Sequence, residues 1–195
     1  MPLWIFAVLI LLAILVALVV LKQQQNQTNP PATNPSDRRS IFNMQVGDIV
    51  QYRTEDWVVE GVLTYNDDGF DWVEYLLQEG DRICWLSVEE DDIVEVAIQR
   101  PVNDLYLQAR PGQTLQYQDV EYRLVEEGTA QMTRVGNTLQ RKAQTCRYFD
   151  FEGAGNQVLS VEDWDGDWEI TCGESISVKD LVILPGSGKS VYRSY

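Results

Sequence analysis

The chain has 195 residues, of which 30 are Asp or Glu and 15 are Lys or Arg, so its formal net charge at pH 7 is −15. This balance argues against nucleic-acid binding and against broad adhesion to anionic lipid, because both need positive charge. The sequence contains no His, which removes the usual acid–base group of neutral pH and the commonest metal ligand. No catalytic constellation stands out, so we expect neither an enzyme nor a bound cofactor.

Residues 2–21, PLWIFAVLILLAILVALVVL, carry no charge and no strongly polar side chain. A run of this length matches the hydrocarbon thickness of a bilayer, and it predicts a single transmembrane helix. A cleaved signal peptide is the alternative, but Lys and Arg are absent before the run and no good cleavage site follows it. Lys22, Arg38 and Arg39 come after the span, so the positive-inside rule predicts a cytoplasmic C-terminal body.

Residues 22–40, KQQQNQTNPPATNPSDRRS, are rich in Gln, Asn, Pro and Thr and have no large apolar side chain. Such a segment cannot bury enough apolar surface to order itself, which predicts a disordered linker. The three cysteines, Cys84, Cys146 and Cys172, follow no metal or disulfide spacing. We interpret them as buried thiols in a reducing compartment, in agreement with a cytoplasmic body.

The rest of the chain has the pattern of β-strands. DIVQYRTEDWVVEGVLTY is rich in Val, Ile, Tyr and Trp, and Asp68-Gly69 between aromatic flanks is typical of a hairpin turn. No stretch after residue 40 keeps a helical period for three turns. The sequence therefore predicts an all-β body.

One phrase occurs twice, as LSVEEDD at 86–92 and as LSVEDWD at 159–165. A shift of 73 residues superposes the two phrases, and a shift of 65 superposes Gln51-Tyr52 on Gln116-Tyr117. Chance similarity among β-rich segments is the alternative to an internal duplication. We favour duplication, with two similar small β-barrel or meander lobes at 45–98 and 110–184, packed so that neither exposes a long edge strand. Residues 185–195 then form a flexible tail.

The first copy contains the segments VGDIVQY, WVVEG, WVEYLLQ and WLSVE. Their motif positions are Gly47, Asp48, Trp57, Gly61, Trp72, Glu74, Tyr75, Trp85 and Leu86. Together these segments resemble the bacterial domain of unknown function 4178 family, over roughly residues 44–185. The resemblance implies a β-rich, non-catalytic module with a link to membrane stress, and the apolar run at 2–21 would make this chain a single-span membrane-anchored member.

The segment EDWDGDWE places four acids at alternate positions, Asp163, Asp165, Asp167 and Glu169. Closely spaced oxygen ligands suit Ca²⁺, but the spacing and flanks of an EF-hand are missing. A hairpin turn at Asp165-Gly166 with solvated acids is the alternative, and it makes these four residues only weak metal candidates.

Bases are concentrated between residues 127 and 150, at Arg134, Arg141, Lys142 and Arg147. They either neutralise part of the acidic body or offer a contact for anionic headgroups or an acidic partner. Trp164 and Trp168 flank the acidic turn and are candidates for the same contact surface. Core filling is the alternative for both tryptophans.

Two functions remain. The first is a membrane-tethered cytoplasmic binding or scaffold module that recruits an unknown protein partner, without nucleic acid. The second is a small-ligand or metal-ion sensor, or an enzyme, that uses clustered carboxylates such as Glu74, Glu89, Glu90 and Asp92. A pocket lined by Trp72, Trp85 and buried carboxylates would favour the second function, whereas outward-pointing carboxylates would favour the first.

Overall fold

A computed structural model describes residues 39–139 and 144–192 of the chain. Apart from one short 3-10 helix at Val178–Asp180, the regular structure in this part is β-strand, which confirms the all-β prediction. The eleven strands are β1 (Ile49–Tyr52), β2 (Glu55–Asp67), β3 (Phe70–Glu79), β4 (Arg82–Glu90), β5 (Val94–Pro101), β6 (Thr114–Tyr117), β7 (Val120–Gly136), β8 (Thr145–Glu152), β9 (Gln157–Trp164), β10 (Asp167–Ser175) and β11 (Leu181–Leu184).

Eight of these strands close into a barrel. The neighbours are hydrogen-bonded in the order β2-β3-β4-β5-β10-β9-β8-β7, and β7 returns to pair with β2. The closing seam runs from the pair Gly61 and Gly136 to the pair Asn66 and Gln131. Closure leaves the eight strands without a free edge inside the ring, which removes the usual site of edge-to-edge aggregation.

Gly61 marks the point where β2 changes its partner. Before this residue β2 pairs with β1, and from Gly61 onward the same edge pairs with β7. The register to β3 shifts between Val59 and Gly61, as in a β-bulge. A Cβ at Gly61 would lie 1.7 Å from the backbone oxygen of Asn137, so only glycine lets the two strands approach here.

The prediction of two lobes is wrong, because the segments 45–98 and 110–184 share one barrel. Each segment contributes four strands to the ring, and the ring closes only through the β5–β10 and β2–β7 pairings between them. The proposed duplication is also not supported. The 73-residue shift equates Tyr75 with Tyr148, yet Tyr75 lies in a core outside the barrel and Tyr148 in the core inside it.

Three apolar clusters lie on the two sides of the barrel wall. Outside the first half, β1, β11, Ile41 and Met44 cover a cluster that includes Trp57 and Leu86. Outside the second half, the chain from Val102 to Leu124 covers a cluster around Phe149, Phe151, Leu159 and Val161. The third cluster fills part of the barrel interior and includes Leu63, Leu76, Trp85, Met132 and Trp164.

The different environments on the two sides of the barrel wall explain why the sequence Leu-Ser-Val-Glu occurs twice. In β4, Leu86 and Val88 belong to the outer cluster, whereas Ser87 and Glu89 line the interior. In β9, Leu159 and Val161 are outside, and Ser160 and Glu162 are inside. Side chains of a strand alternate between the two faces of a sheet, so an apolar outer core and a polar interior both times produce Leu-Ser-Val-Glu.

The N-terminal predictions lie outside the described residues. These are the transmembrane helix at 2–21 and the linker at 22–40, of which only Arg39 and Ser40 are described. Within residues 39–139 and 144–192, no helix is both long and apolar enough to cross a bilayer.

The predicted tail is described as far as Tyr192. It runs past the N-terminal motif, where the Gly186 amide donates a hydrogen bond to Asp48 Oδ1 (2.7 Å). Further on, the Ser190 hydroxyl and the amides of Val191 (2.9 Å) and Tyr192 (3.3 Å) donate to the carboxylate of Glu60, which is fully buried. We call residues 186–192 the C-terminal strap.

Candidate functional site

The barrel encloses a cavity of about 150 Å³ at one end of its interior. Seven of the eight barrel strands, β3 to β5 and β7 to β10, contribute side chains to its wall. The cavity begins where the interior apolar cluster ends, so the lumen is divided into a packed part and a part that is lined by polar groups. A concave site with convergent polar side chains is the usual form of a ligand site.

Aromatic rings form one wall of the cavity. The rings of Tyr65 and Trp72 are stacked, with centroids 4.6 Å apart and an interplanar angle of 2°. Tyr148 meets the indole of Trp72 edge-on, with centroids 5.1 Å apart. Trp72 is partly exposed although both neighbours are buried, so part of its ring faces the open space.

Two carboxylates lie deep in the barrel and share a tyrosine. The Tyr65 hydroxyl is within hydrogen-bond distance of Glu74 Oε2 (3.1 Å) and Glu162 Oε1 (2.9 Å). Trp164 Nε1 donates a second hydrogen bond to Glu162, at 3.2 Å. Glu162 is 7% exposed, and these hydrogen bonds offset part of the cost of burying its charge.

Further acids face one another across strand pairs. Glu89 on β4 stands opposite Glu95 on β5, and Glu126 on β7 stands opposite Asp150 on β8. Directly opposed like charges destabilise a sheet. The described residues that line the cavity include seven acids and no Lys or Arg. The seven acids are Glu74, Glu89, Glu95, Glu126, Asp150, Glu152 and Glu162.

Two of these acids have strongly raised pKa values. Burial, reinforced by the negative charges of Glu126, Glu95 and Asp91, raises the pKa of Glu89 to about 7. Burial also raises the pKa of Asp150 to about 7, against the lowering effect of a hydrogen bond from Ser160 (2.5 Å). Perturbed carboxyls in a cavity are a frequent mark of a functional site.

Tyr148 connects the aromatic wall to the rim. Its hydroxyl lies 3.0 Å from Asp67 Oδ2 and 3.3 Å from Glu126 Oε1. Burial and the adjacent carboxylate of Asp67 raise the pKa of this phenol, so it stays protonated and acts as a hydrogen-bond donor. The arrangement therefore combines protonated donors, acidic acceptors and exposed aromatic surface.

The acids that the sequence singled out do not all lie in the cavity. Glu74 and Glu89 line the cavity. Glu90, one residue further along, is exposed and borders a groove outside the barrel. Asp92 is exposed in the turn that follows β4. Of the two tryptophans named with them, Trp72 lines the cavity, while Trp85 packs in the adjoining interior cluster.

Five strand residues of the family motif have clear positions. Trp72 and Glu74 line the cavity. The outer core of the first half contains Trp57, Tyr75 and Leu86. The motif therefore contributes to ligand space as well as to packing, because Trp72 and Glu74 are two apart on β3 and face the same side of the strand.

The Gly47-Asp48 part of the motif connects the segment before β1 with the segment after β11. Asp48 is fully buried and forms an ion pair with Arg39 Nε at 2.8 Å. It also accepts hydrogen bonds from the amides of Gln45 and Gly186, both at 2.7 Å. Gly47 has a φ of 89°, and a Cβ there would lie 2.5 Å from the backbone oxygen of Lys189.

The weak metal candidates surround a hairpin turn. Asp165 and Gly166 have φ values of 57° and 95° and connect β9 to β10 as a two-residue turn. Asp163 accepts a hydrogen bond from the Gly166 amide (2.6 Å) and pairs with Arg147. Asp165 and Asp167 are exposed and Glu169 is partly buried. Among the residues with described positions, no three acidic, Cys or His side chains are grouped closely enough to hold a metal ion.

The possible contact residues that the structure describes lie in different environments. Trp164 is 6% exposed and packs inside the barrel, so it is unavailable to a partner. Arg147 lies 6.0 Å over the ring of Trp168 and pairs with Asp163, as the neutralising interpretation of the bases anticipates. Arg134 is exposed on β7, and Arg141 and Lys142 lie outside the described residues.

Sequence reasoning missed most of the cavity. It did not name Glu95, Glu126, Asp150, Glu152 or Glu162 as site residues. The available signal was the alternation within β8 and β9, where acids sit between large apolar residues, as in Phe149-Asp150-Phe151. Such a pattern normally marks one solvent-facing side of a sheet, and only barrel closure shows that this side is the interior.

Comparisons with known proteins place the chain in a family. The model of the domain of unknown function DUF4178 matches residues 45–178. Uncharacterized proteins of Mycobacterium tuberculosis and Mycobacterium bovis are 34% identical over 188 aligned residues, which cover 87% of this chain and 90% of each relative. No solved structure matches the chain. The motif residues, the extent of the family match and these relatives together show that the chain belongs to the DUF4178 family.

Proposed function

We propose that this protein binds a small ligand inside its β-barrel. The observation that carries the proposal is the cavity that is lined both by Trp72 and by carboxylates with raised pKa values. Of the two functions that the sequence left open, this is the sensor or ligand-binding one. The proposal includes no reaction, and the lack of enzymatic activity stays a prediction.

The composition of the cavity supports a role beyond folding. The interior of an eight-stranded barrel is just wide enough to be filled by side chains, and apolar residues fill its other part. Replacing buried charges with apolar residues is often neutral or stabilising. Acids that face one another in the lumen therefore lower the stability of the barrel. Positions where a sequence places like charges together in an interior, against the rules of stable folding, are often functional.

We further propose that the barrel works at the cytoplasmic face of a membrane. Residues 2–21 would anchor the chain and residues 22–40 would connect the anchor to the barrel. The protein would then report the concentration of its ligand near the membrane to a protein partner. Retention at the membrane raises the effective concentration of the barrel near its partner, which strengthens a weak contact between them.

A fragment screen with a cavity-filling variant tests the ligand-binding proposal. We expect a diverse fragment set to contain compounds that raise the Tm of the purified full chain, because ligands stabilise the state that binds them. Ala97→Phe would fill the cavity, since Ala97 lines it on β5. The matched control is Val94→Phe at an exposed position of the same strand.

Stabilisation should be lost in Ala97→Phe and kept in Val94→Phe, with folding of both variants checked by circular dichroism. Fragments that stabilise Ala97→Phe as well as the wild type would bind elsewhere and would contradict the proposal. A screen without any stabilising fragment would contradict it too.

A further inference from the structure

We infer that this protein forms a symmetric dimer in which the edge strand β11 pairs with β11 of a second copy. The inference goes beyond the proposed ligand binding and does not depend on the cavity. It follows from the free edge of β11, from the apolar residues along that edge and from the way in which two such strands match each other.

The strand β11 is one of two edges that barrel closure leaves open. In the part of the chain that the structure describes, the sheet order ends with β11 on one side and with β6 on the other. All four residues of β11, Leu181–Leu184, pair with β1. An edge strand presents backbone N–H and C=O groups on its unpaired side, and a strand from another chain can extend the sheet there.

The side chains of β11 lack the charges that commonly protect an edge strand. Its sequence, Leu-Val-Ile-Leu, is apolar throughout. Val182 is 51% exposed and Leu184 is 40% exposed, and the two residues lie on the same face because they are two positions apart. In β6 the exposed residues are Thr114 and Gln116. Of the two free edges, β11 is therefore the one that would gain more from burial.

Two copies of β11 match when Ile183 lies opposite Ile183 of the second copy. A two-fold axis perpendicular to the sheet keeps the same face outward in both copies, so two opposed residues must be an even number of positions apart. In this register Val182 lies opposite Leu184 of the second copy, twice in each dimer, so the two exposed residues cover each other. An axis at Val182 would instead place the exposed Asp180 opposite Leu184, which leaves a charge beside an apolar side chain.

The neighbouring strands continue the apolar contact on the outer face. Ile49 on β1 stands opposite Leu184, and Val58 on β2 stands opposite Ile49. Both residues are partly buried. Each copy therefore brings a row of three apolar side chains to the seam. A net charge of −15 opposes association of two copies through most of their surface, and this row is uncharged.

The dimer contact is small, because Pro185 follows the four residues of β11 and has no N–H for a longer ladder. Such a contact covers less than the roughly 1,200 Å² of a standard interface, so we expect weak, concentration-dependent association. The proposed membrane anchor would favour it by raising the local concentration of the chain.

Disulfide trapping of the purified full chain in mild detergent tests the register. Val182→Cys and Leu184→Cys chains are oxidised separately and as an equal mixture. Opposed residues of an antiparallel pair have Cβ atoms about 4.5–5.5 Å apart and diagonal ones about 7–8 Å, and only the shorter distance is close to that of a disulfide. We expect the mixture to give several-fold more crosslinked dimer than either variant alone. The wild-type chain measures the background from the native thiols.

Val182→Lys should weaken self-association by about tenfold in sedimentation equilibrium, because dimerisation would bury an unpaired ammonium group beside Leu184. Val135→Lys is the matched control, since Val135 is an exposed valine on another strand, β7. It should leave association unchanged, with folding of both variants checked by circular dichroism.

Three results would overturn the inference. The first is equal crosslinking in all three samples, or stronger crosslinking of one variant with itself than in the mixture. The second is association that Val182→Lys does not weaken, which would place the contact elsewhere in the chain. The third is a monomer at every concentration, which would leave the edge of β11 to a different protein.

Discussion

Individual side chains explain why the empty barrel is not at its most stable. Glu89 and Asp150 lie among like charges, and their pKa values of about 7 mean that the folded state holds their protons more tightly than an unfolded chain does. Asp163 on β9 has a basic partner, since it forms an ion pair with Arg147 on the neighbouring strand. The difference between these acids lies in their partners, since all three are carboxylates on barrel strands.

Glu89→Gln should make the ligand-free protein more stable at pH 8. The pKa of Glu89 is raised from 4.5 to about 7, so the folded state binds more protons between these values and its stability falls as pH rises through this window. Removing the charge should raise the Tm at pH 8 by about 2–4 °C, which corresponds to roughly 1 kcal/mol. Calorimetric melting at pH 4 and pH 8 measures the effect.

The gain should shrink towards pH 4, where Glu89 is protonated in both states. Glu90→Gln should show no such pH-dependent gain, because Glu90 is exposed on the other face. A Glu89→Gln variant that melts at or below the wild-type temperature at pH 8 would show that the opposed acids do not strain the empty barrel.

At the scale of whole elements, two segments decide how the barrel is held together. The strand β7 is 17 residues long, and it pairs with β6 near its start, with β8 in its middle and with β2 at its end. Its last six residues, 131–136, lengthen β7 until it reaches β2. The second segment is the C-terminal strap, whose donors satisfy the buried carboxylate of Glu60 beside the closing seam.

Ending the chain at Gly188 should destabilise the barrel. Ser190, Val191 and Tyr192 would be lost, and the carboxylate of Glu60 would lose three hydrogen-bond donors while buried. Stranding a buried charge costs about 3–5 kcal/mol, whereas an unsatisfied neutral group costs about 1–3 kcal/mol. The truncation should therefore cost less in a Glu60→Gln background. Urea unfolding of the four chains measures this coupling.

A chain that ends at Tyr192 is the control for this experiment, because it keeps all three donors and should unfold like the full chain. Equal losses from truncation with and without the Glu60→Gln substitution would mean that the strap acts without the carboxylate. No loss at all would mean that the strap contributes nothing to barrel stability.

The whole molecule combines a strongly acidic barrel with the predicted anchor at residues 2–21. A net charge of −15 keeps the barrel away from an anionic bilayer surface, so membrane attachment would depend on the N-terminal segment. In the proposed arrangement, the predicted linker at 22–40 would connect the anchor to the barrel.

The full chain should remain in the membrane pellet after alkaline carbonate extraction, because a hydrophobic span of this length is not removed by alkali. Deleting residues 2–21 should release it. A phosphatase fused to the C-terminus, which is active only outside the cytoplasm, should be inactive, and a fluorescent protein at the same position should be bright. Full-length chain in the soluble fraction would contradict the anchor, and active phosphatase would contradict the orientation.

Several features could be predicted from the sequence because they depend on local physics. Alternating apolar and polar residues identified the strands, Asp68-Gly69 was correctly predicted as a hairpin turn, and the turn alternative at Asp165-Gly166 is what the structure contains. Of the acids that the sequence analysis named, Glu74 and Glu89 line the cavity. Strands and tight turns can be predicted from residues that are close together in the chain.

The sequence by itself determined the all-β class, the main turns and the family of this protein, since each depends on residues that are close together in the chain. Only the tertiary structure decided that both halves share one barrel, and that the polar faces of β4, β8 and β9 line its interior. That choice depends on the pairing of β2 with β7 and of β5 with β10, between residues far apart in sequence. The alternation of residues along a strand shows that its two faces differ, but barrel closure decides which face lines the cavity.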